Sequence, residues 1–478
     1  MNKPIVRLYG LVVLLFALLV GFTSRWTIFE ASSLRANGLN ARTLLQQERI
    51  PRGPIVAADG TVLAVSHRGP EGIYQRSYPT RELFANPIGY SDITEGATGV
   101  ERFRNEELNG TRAHGLQSIL DQLQGRKPVG EKVVTTLDPR AQRVAEQALA
   151  GQRGAVVALD PASGAVRVMA SSPSYDPNLV RSKRAFQALL ADSKRQPLID
   201  RATQFGYAPG STFKIVTATA AIDTGLFTPE SMVSGRNGVT ISGVPLQNDN
   251  GETFGQITLT QALVKSVNTV WAQVAEKVGR PTLARYMALF GFDRKPKLDY
   301  PANEMSTSGE FEHGKIVAPT SNRVDLGRLG IGQDKLAVVP LQMAEVAAAV
   351  ANHGTLMVPH IASRIVNAEG QTTERIAAHV QSVVMKPATA AAVTGMMEGV
   401  VKEGTGTSAQ IAGVPVAGKT GTAETLRGTA INNVWFIAFA PANAPRAAIA
   451  VTLQGVPGQG AAFAAPVARQ VMEQLLRD

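Results

Sequence analysis

Apolar residues fall along this chain in three patterns: one long uninterrupted run, several short runs bounded by turn residues, and stripes at helical spacing. The long run is Leu8 to Thr23, flanked by Lys3 and Arg7 before it and by Arg25, Trp26, Ile28 and Phe29 after it. It is short for a bilayer span, but snorkelling of Arg25 extends it through Ile28. Residues 8–28 are therefore read as a transmembrane anchor and 1–7 as a cytoplasmic tail. Lys3 and Arg7 favour that orientation, although Arg25, Arg35 and Arg42 dilute the bias. A cleaved signal peptide is the rival reading, but Glu30-Ala31-Ser32-Ser33 lacks a clear small-x-small cleavage site. No second apolar run approaches this length, so the remainder is expected outside the membrane, on the extracytoplasmic side.

The short runs predict strands. Ile50 to Ala64 reads as two strands joined by Asp59-Gly60, a hairpin signal. Gly99 to Phe103 and Leu108-Asn109-Gly110 suggest one more structured element with a turn. Nothing between Ala31 and Glu131 has catalytic spacing, and 29–131 is expected to be a mostly β, non-catalytic spacer domain. A second domain, 132–478, follows. Asp138-Pro139 is an N-cap with proline at the first helical position, and Ala141, Val144, Ala145, Ala148 and Leu149 form its stripe. Ala155–Leu159 and Ala165–Ala170 read as strands around the turn Asp160 to Gly164, and Val434–Ala440 and Ala447–Leu453 as two more. A helix is expected over Pro466–Leu476. Strands from both ends with helices between them predict an α+β domain whose antiparallel sheet is closed by both ends of the segment. Within it, Thr258–Val278 reads as a helical pair, and Leu341–Ala351 and Pro387–Val401 as helices.

One stretch, Ala208 to Gly225, is apolar on every side, which marks a buried helix. Its first turn nevertheless carries Ser211 and Lys214, three residues apart on one face. A serine hydroxyl becomes a nucleophile when a neighbour takes its proton, and a lysine can do so when burial depresses its pKa. A helix N-terminus adds N–H groups toward developing negative charge. Two further polar motifs stand in suggestive places. Ser266-Val267-Asn268 breaks the helical pair, and Lys419-Thr420-Gly421-Thr422 is expected on an edge strand, with Gly421 allowing close approach of a substrate backbone. Each is weak alone; the ordered set is specific.

Composition narrows the alternatives. The 478 residues are 44% hydrophobic and 18% charged, a globular balance, with net charge +10. That charge suits an anionic membrane surface or an acidic polymer; with 6% aromatics and no long Lys/Arg run, nucleic acid is the weakest partner. The absence of cysteine removes disulfides, thiol nucleophiles and Cys-ligated metals. Six histidines without a G-x-S-x-G elbow disfavour a Ser-His-Asp hydrolase.

Ser211-x-x-Lys214, Ser266-x-Asn268 and Lys419-Thr420-Gly421 resemble the three signature motifs of penicillin-binding proteins and serine β-lactamases. Arg52-Gly53-Pro54-Ile55 with Asp59-Gly60 resembles the start of the pedestal in class B penicillin-binding proteins. Ala155 to Pro173, Gly332-Gln333 and Pro340 to Ala344 resemble segments of their transpeptidase domain, so the similarity covers nearly the whole chain. The likeness is to the short, single-anchor enzymes of the PbpA or FtsI type. It implies a D,D-transpeptidase that cross-links D-Ala-D-Ala stem peptides of peptidoglycan and is acylated by β-lactams. Ser211 would be the nucleophile, Lys214 its base, Ser266 a proton relay, and Asn268 the holder of Lys214 and the substrate amide. Lys419, with Thr420 and Thr422, would bind the terminal carboxylate. The N–H groups of Ser211 and Thr422 would form the oxyanion hole. The resemblance implies no metal or organic cofactor. It also implies a polytopic SEDS-type glycosyltransferase partner within the division or elongation machinery. A β-lactamase or D,D-carboxypeptidase would use the same motifs with water as acceptor, and a penicillin sensor or scaffold remains the non-enzymatic alternative.

Overall fold

The computed structural model describes residues 3–25, 49–112, 129–149, 151–424 and 431–477. Trp26, Ile28 and the Glu30 to Ser33 stretch lie outside the described residues. Helix α1, Lys3–Ser24, has 22 residues, a length of about 33 Å that matches a bilayer core of about 30 Å. Its apolar side chains are exposed, and it is the one helix among the described residues long and apolar enough to cross a membrane. A single-pass anchor fits it.

The pedestal is built on a six-stranded sheet. Its order is Thr372–Arg375, Ala362–Val366, Lys132–Thr135, Ile55–Val56, Val62–Arg68 and Tyr74–Ser77. Gly60, at φ +90°, turns the chain between the first two strands in sequence, where the Asp59-Gly60 pair predicted a hairpin. Two strands come from 362–375, within the stretch the sequence assigns to the second domain, so this sheet crosses the division at 131/132. The short helix Gly99–Phe103 carries Glu101, which is fully buried. Arg52 Nε and Arg76 Nε reach its two oxygens at 2.6 and 2.5 Å. Burial alone would raise the Glu101 carboxyl, and the two guanidinium groups overcome that and hold it below its ordinary value.

The second domain is organised on a five-stranded antiparallel sheet. Its strands are β1 (Gly154–Leu159), β2 (Val166–Ser172), β3 (Ala417–Glu424), β4 (Ile431–Ala440) and β5 (Ala447–Pro457), in the order β3-β4-β5-β1-β2. Both ends of the segment close it, as the hydrophobic pattern predicts. Asp160 Oδ1 accepts from Ala162 N and Ser163 N in the β1–β2 turn. The sheet is covered on both faces. On one lie α2 (Pro139–Leu149), N-capped by Asp138, and the C-terminal helix Gly460–Arg477. That last helix begins six residues before Pro466, which lies inside it rather than in its first turn.

Between the sheet-forming ends are the helices α3 (Lys214–Asp223), α4 (Leu259–Val264), α5 (Asn268–Val278), α6 (Pro340–Ala351) and α7 (Pro387–Glu403). Helix α6 packs on the second face of the sheet and is buried on every side, which explains why its sequence is apolar apart from the buried Gln342 and Glu345. Coverage on both faces makes β1 uniformly apolar rather than alternating.

Replacing Glu101 by Gln leaves two arginines packed around a neutral group. The substitution is expected to cost about 3–5 kcal/mol, read by urea unfolding of the detergent-solubilised protein. The wild-type contribution is complete above the ordinary carboxyl value of 4.5 and fades as pH falls through the lower folded value, so the difference between the two proteins narrows in acid.

Candidate active site

The chain approaches the site through Tyr207, whose N–H and C=O pair with Val338 at 2.9 and 2.8 Å. Gly210–Phe213 then forms a 3-10 turn, and the α-helix proper starts at Lys214. Ser211 thus precedes the helix instead of occupying its first α turn. Gly210 has φ +52°, and a Cβ there would collide with the carbonyl of Thr422 on β3. At Gly421 a Cβ would stand 2.6 Å from Pro209 O. Two glycines facing each other let the edge strand close on the serine turn, a fit no side chain permits. Trp435 Nε1 on β4 donates to Ala208 O at 2.9 Å and ties the turn to the sheet.

Ser266 joins α4 to α5 with φ +58°, a left-handed conformation that costs a non-glycine residue about 1–3 kcal/mol. The kink turns both oxygens of Ser266 toward Lys214. Lys214 Nζ donates to Ser266 O at 2.7 Å, Ser266 Oγ at 3.3 Å and Asn268 Oδ1 at 2.7 Å. Lys419 Nζ reaches the same Ser266 Oγ at 2.9 Å, and Thr420 O at 3.0 Å and Oγ1 at 3.4 Å. Both lysines are fully buried.

Burial pushes the Lys214 amine down to about 7, with Asp249 pulling weakly the other way. Burial, and then the neighbouring Lys214, drive Lys419 well below its ordinary value. The two ammonium groups oppose each other across one hydroxyl.

All eight residues singled out in the sequence gather here. Ser211, Ser266, Asn268, Thr420, Gly421 and Thr422 line a cavity of about 340 Å³, with the amines of Lys214 and Lys419 in its wall behind Ser266. Ser211 is half-buried, and its hydroxyl has no hydrogen-bond partner among the described residues. The Thr420 hydroxyl pairs with Thr405 Oγ1 at 2.6 Å, whereas Thr422 is more open and its Oγ1 accepts from Gly460 N at 3.3 Å.

Sequence reasoning missed Asp249, Thr405 and Gly460. They come from a polar turn, a loop and a helix start, and no spacing rule ties them to the motifs. Asp249 Oδ1 receives Asn268 Nδ2 at 3.1 Å. The signal for it was the polar run Asn248-Asp249-Asn250-Gly251, which reads as an ordinary turn. Among the described residues no group of three His, Cys, Asp or Glu side chains has metal-binding geometry.

The model of the penicillin binding protein transpeptidase domain matches residues 154–473, and that of the penicillin binding protein A dimerisation domain matches 52–133. Peptidoglycan D,D-transpeptidase PbpA of Mycobacterium tuberculosis strain H37Rv is 34% identical over 505 aligned residues, covering 100% of this chain and 99% of that protein. Peptidoglycan D,D-transpeptidase MrdA of Haemophilus influenzae is 30% identical over 425 residues, 83% of this chain and 64% of that protein. Among solved structures, the ceftriaxone acyl-enzyme complex of M. tuberculosis penicillin-binding protein A superposes with a TM-score of 0.82 at 33% identity. It covers 90% of this chain and 100% of that chain. With the transpeptidase match running through the whole sheet, and relatives aligned from end to end, this chain belongs to the penicillin-binding protein transpeptidase family.

Proposed function

We propose that this chain is a membrane-anchored peptidoglycan D,D-transpeptidase that works through an acyl-enzyme on Ser211. The observation that carries the reading is the environment of Lys214: a fully buried amine, held near neutrality by desolvation, three residues after a serine whose hydroxyl is unengaged among the described residues. An amine with a pKa near 7 is half deprotonated at working pH, which suits a general base. When neutral it has two N–H bonds and one lone pair. Ser266 O and Asn268 Oδ1, both obligate acceptors at 2.7 Å, take the two hydrogens. The lone pair is left for a hydroxyl proton.

Ser211 Oγ attacks the carbonyl of the penultimate D-Ala as its proton passes to Lys214. The N–H groups of Ser211 and Thr422 receive the oxyanion. Lys214 then returns the proton through Ser266 Oγ to the departing D-Ala nitrogen, and the C–N bond breaks to leave the ester. An amine of a second stem peptide attacks that ester, yielding the cross-link and restoring Ser211. Lys419, with Thr422 and Thr420, receives the terminal carboxylate of the donor, and an anion there favours the protonated form that burial and Lys214 disfavour. A β-lactam enters by the same first step, because its ring amide and carboxylate present the same two groups.

Residues 1–7 are assigned to the cytoplasmic side, 8–28 to the span, 29–131 to the pedestal and 132–478 to the extracytoplasmic catalytic domain. Anchor and pedestal would engage a SEDS-type glycosyltransferase in division or elongation.

Incubation with benzylpenicillin is expected to add one drug mass to the protein, mapped by peptide mass spectrometry to Ser211 and absent in Ser211→Ala. No adduct on the wild-type protein would sink the catalytic reading, and an adduct rapidly lost as hydrolysed drug would mark a β-lactamase. The acylation rate constant should rise with pH through about 7 as Lys214 loses its proton, and Lys214→Met should abolish that rise along with most of the rate. A rate that is flat from about pH 5 to about 9 would remove Lys214 from the base role.

A further inference from the structure

The steps above give no role to a carboxylate at the mouth of the cavity that is hydrogen-bonded to Asn268. Asp249 stands in the turn before the cavity floor and is exposed to it. Its Oδ1 accepts from Asn268 Nδ2 at 3.1 Å, and the other end of that amide, Oδ1, receives Lys214 at 2.7 Å. An amide has one donating and one accepting end, and an ionised carboxylate only accepts. Asp249 therefore decides which end of Asn268 faces the lysine. Gln247 O, another acceptor, holds the same NH2 group at 3.3 Å. The second feature is charge: two amines converge on Ser266 Oγ, and Asp249 is the carboxylate that attracts both.

We propose that Asp249 is a positioning residue of the reaction, locking the Asn268 amide with its oxygen toward Lys214 and supplying the negative charge opposite the Lys214–Lys419 pair. This rests on the transpeptidase reading and adds to it a control over how readily the buried amines hold their protons. The charged groups around the pair are few. Lys419 comes from β3 and Asp249 from its turn, while Glu424 at the end of β3 lines the same cavity. Glu252, Lys265 and Glu403 line an adjoining cavity of about 280 Å³ that Asp249 also borders. Of these carboxylates Asp249 is the one in the hydrogen-bond chain to Lys214. Its charge favours the protonated amines. Removing it favours the neutral base at lower pH and weakens Lys419 as a cation for the substrate carboxylate.

The test is the pH dependence of acylation by benzylpenicillin, measured from about pH 5 to about 9 on the full-length protein in detergent, for wild type, Asp249→Asn and Asp249→Ala. In Asp249→Asn the acid limb should move to lower pH by about half a unit or more, with weaker initial binding of the drug. The loss of a carboxylate thus makes the enzyme relatively faster in acid, the reverse of simple damage. Asp249→Ala should show the same shift and a further loss of about tenfold in the limiting acylation rate, because the Asn268 amide then keeps only its longer contact with Gln247 O. An unmoved limb in Asp249→Asn, or rates lowered in equal proportion at every pH, overturns the proposal. Asn is nearly isosteric and keeps an acceptor, so this variant decides the matter even where the alanine variant folds poorly. A wild-type protein that is never acylated refutes the transpeptidase reading itself, a failure seen before any Asp249 variant is compared.

Discussion

Two lysine amines buried within hydrogen-bond reach of one serine hydroxyl are the constraint on which the rest of this structure depends. Burying a single ammonium is unfavourable unless acceptors surround it, and burying two side by side adds their mutual repulsion. The molecule meets the first requirement with carbonyl and amide oxygens: Ser266 O and Asn268 Oδ1 for Lys214, Thr420 O for Lys419. Burial holds both amines below their ordinary values, which lessens the second. Ser266 Oγ, shared at 3.3 and 2.9 Å, is where the two halves meet, which accounts for a serine tolerating φ +58° at that position.

Holding three chain segments at such distances requires a rigid frame. The five-stranded sheet supplies it, being closed by residues 154–172 and 417–457 and covered by helices on both faces. Its edge strand β3 can approach the serine turn only because Gly210 and Gly421 face each other there. The edge that would otherwise invite indiscriminate strand pairing is instead half covered by the turn carrying the nucleophile. Where the backbone is open, it opens onto the cavity.

Much of this was legible in the sequence, and the limits are physical. The central strands and the helices at 139–149, 340–351 and 387–403 followed from hydrophobic runs, caps and prolines, since local pattern and tertiary burial agree there. The eight motif residues were found because their chemistry is unusual in apolar surroundings. Three features were not readable. The 3-10 turn at 210–213 depends on packing against β3, which local propensity does not contain. The pairing of Ala362–Val366 with Lys132–Thr135 is a long-range contact between unremarkable strands. Asp249 meets Asn268 from a polar turn, and a single acidic residue there carries no periodic signal.

That long-range pairing changes how the pedestal is understood. Pattern alone suggested a spacer, but the seam between the two parts is polar, specific and continuous with the catalytic segment. Arg104 meets Asp299 at 3.1 Å, Gly99 N donates to Glu304 Oε2 at 2.9 Å, and Tyr300 OH donates to Asn86 O at 2.6 Å. From the same loop, Glu304 O accepts from Thr203 Oγ1 at 2.8 Å, and Ser306 N donates to Thr203 O at 2.8 Å. Thr203 lies eight residues before Ser211 on a stretch pinned at Ala202 and Tyr207 to 338–341. Buried polar contacts of this kind are satisfied in one geometry and costly in others. A pedestal bonded in this way fixes the entry of the segment that carries Ser211, because Glu304 meets Gly99 of the pedestal on one side and Thr203 on the other.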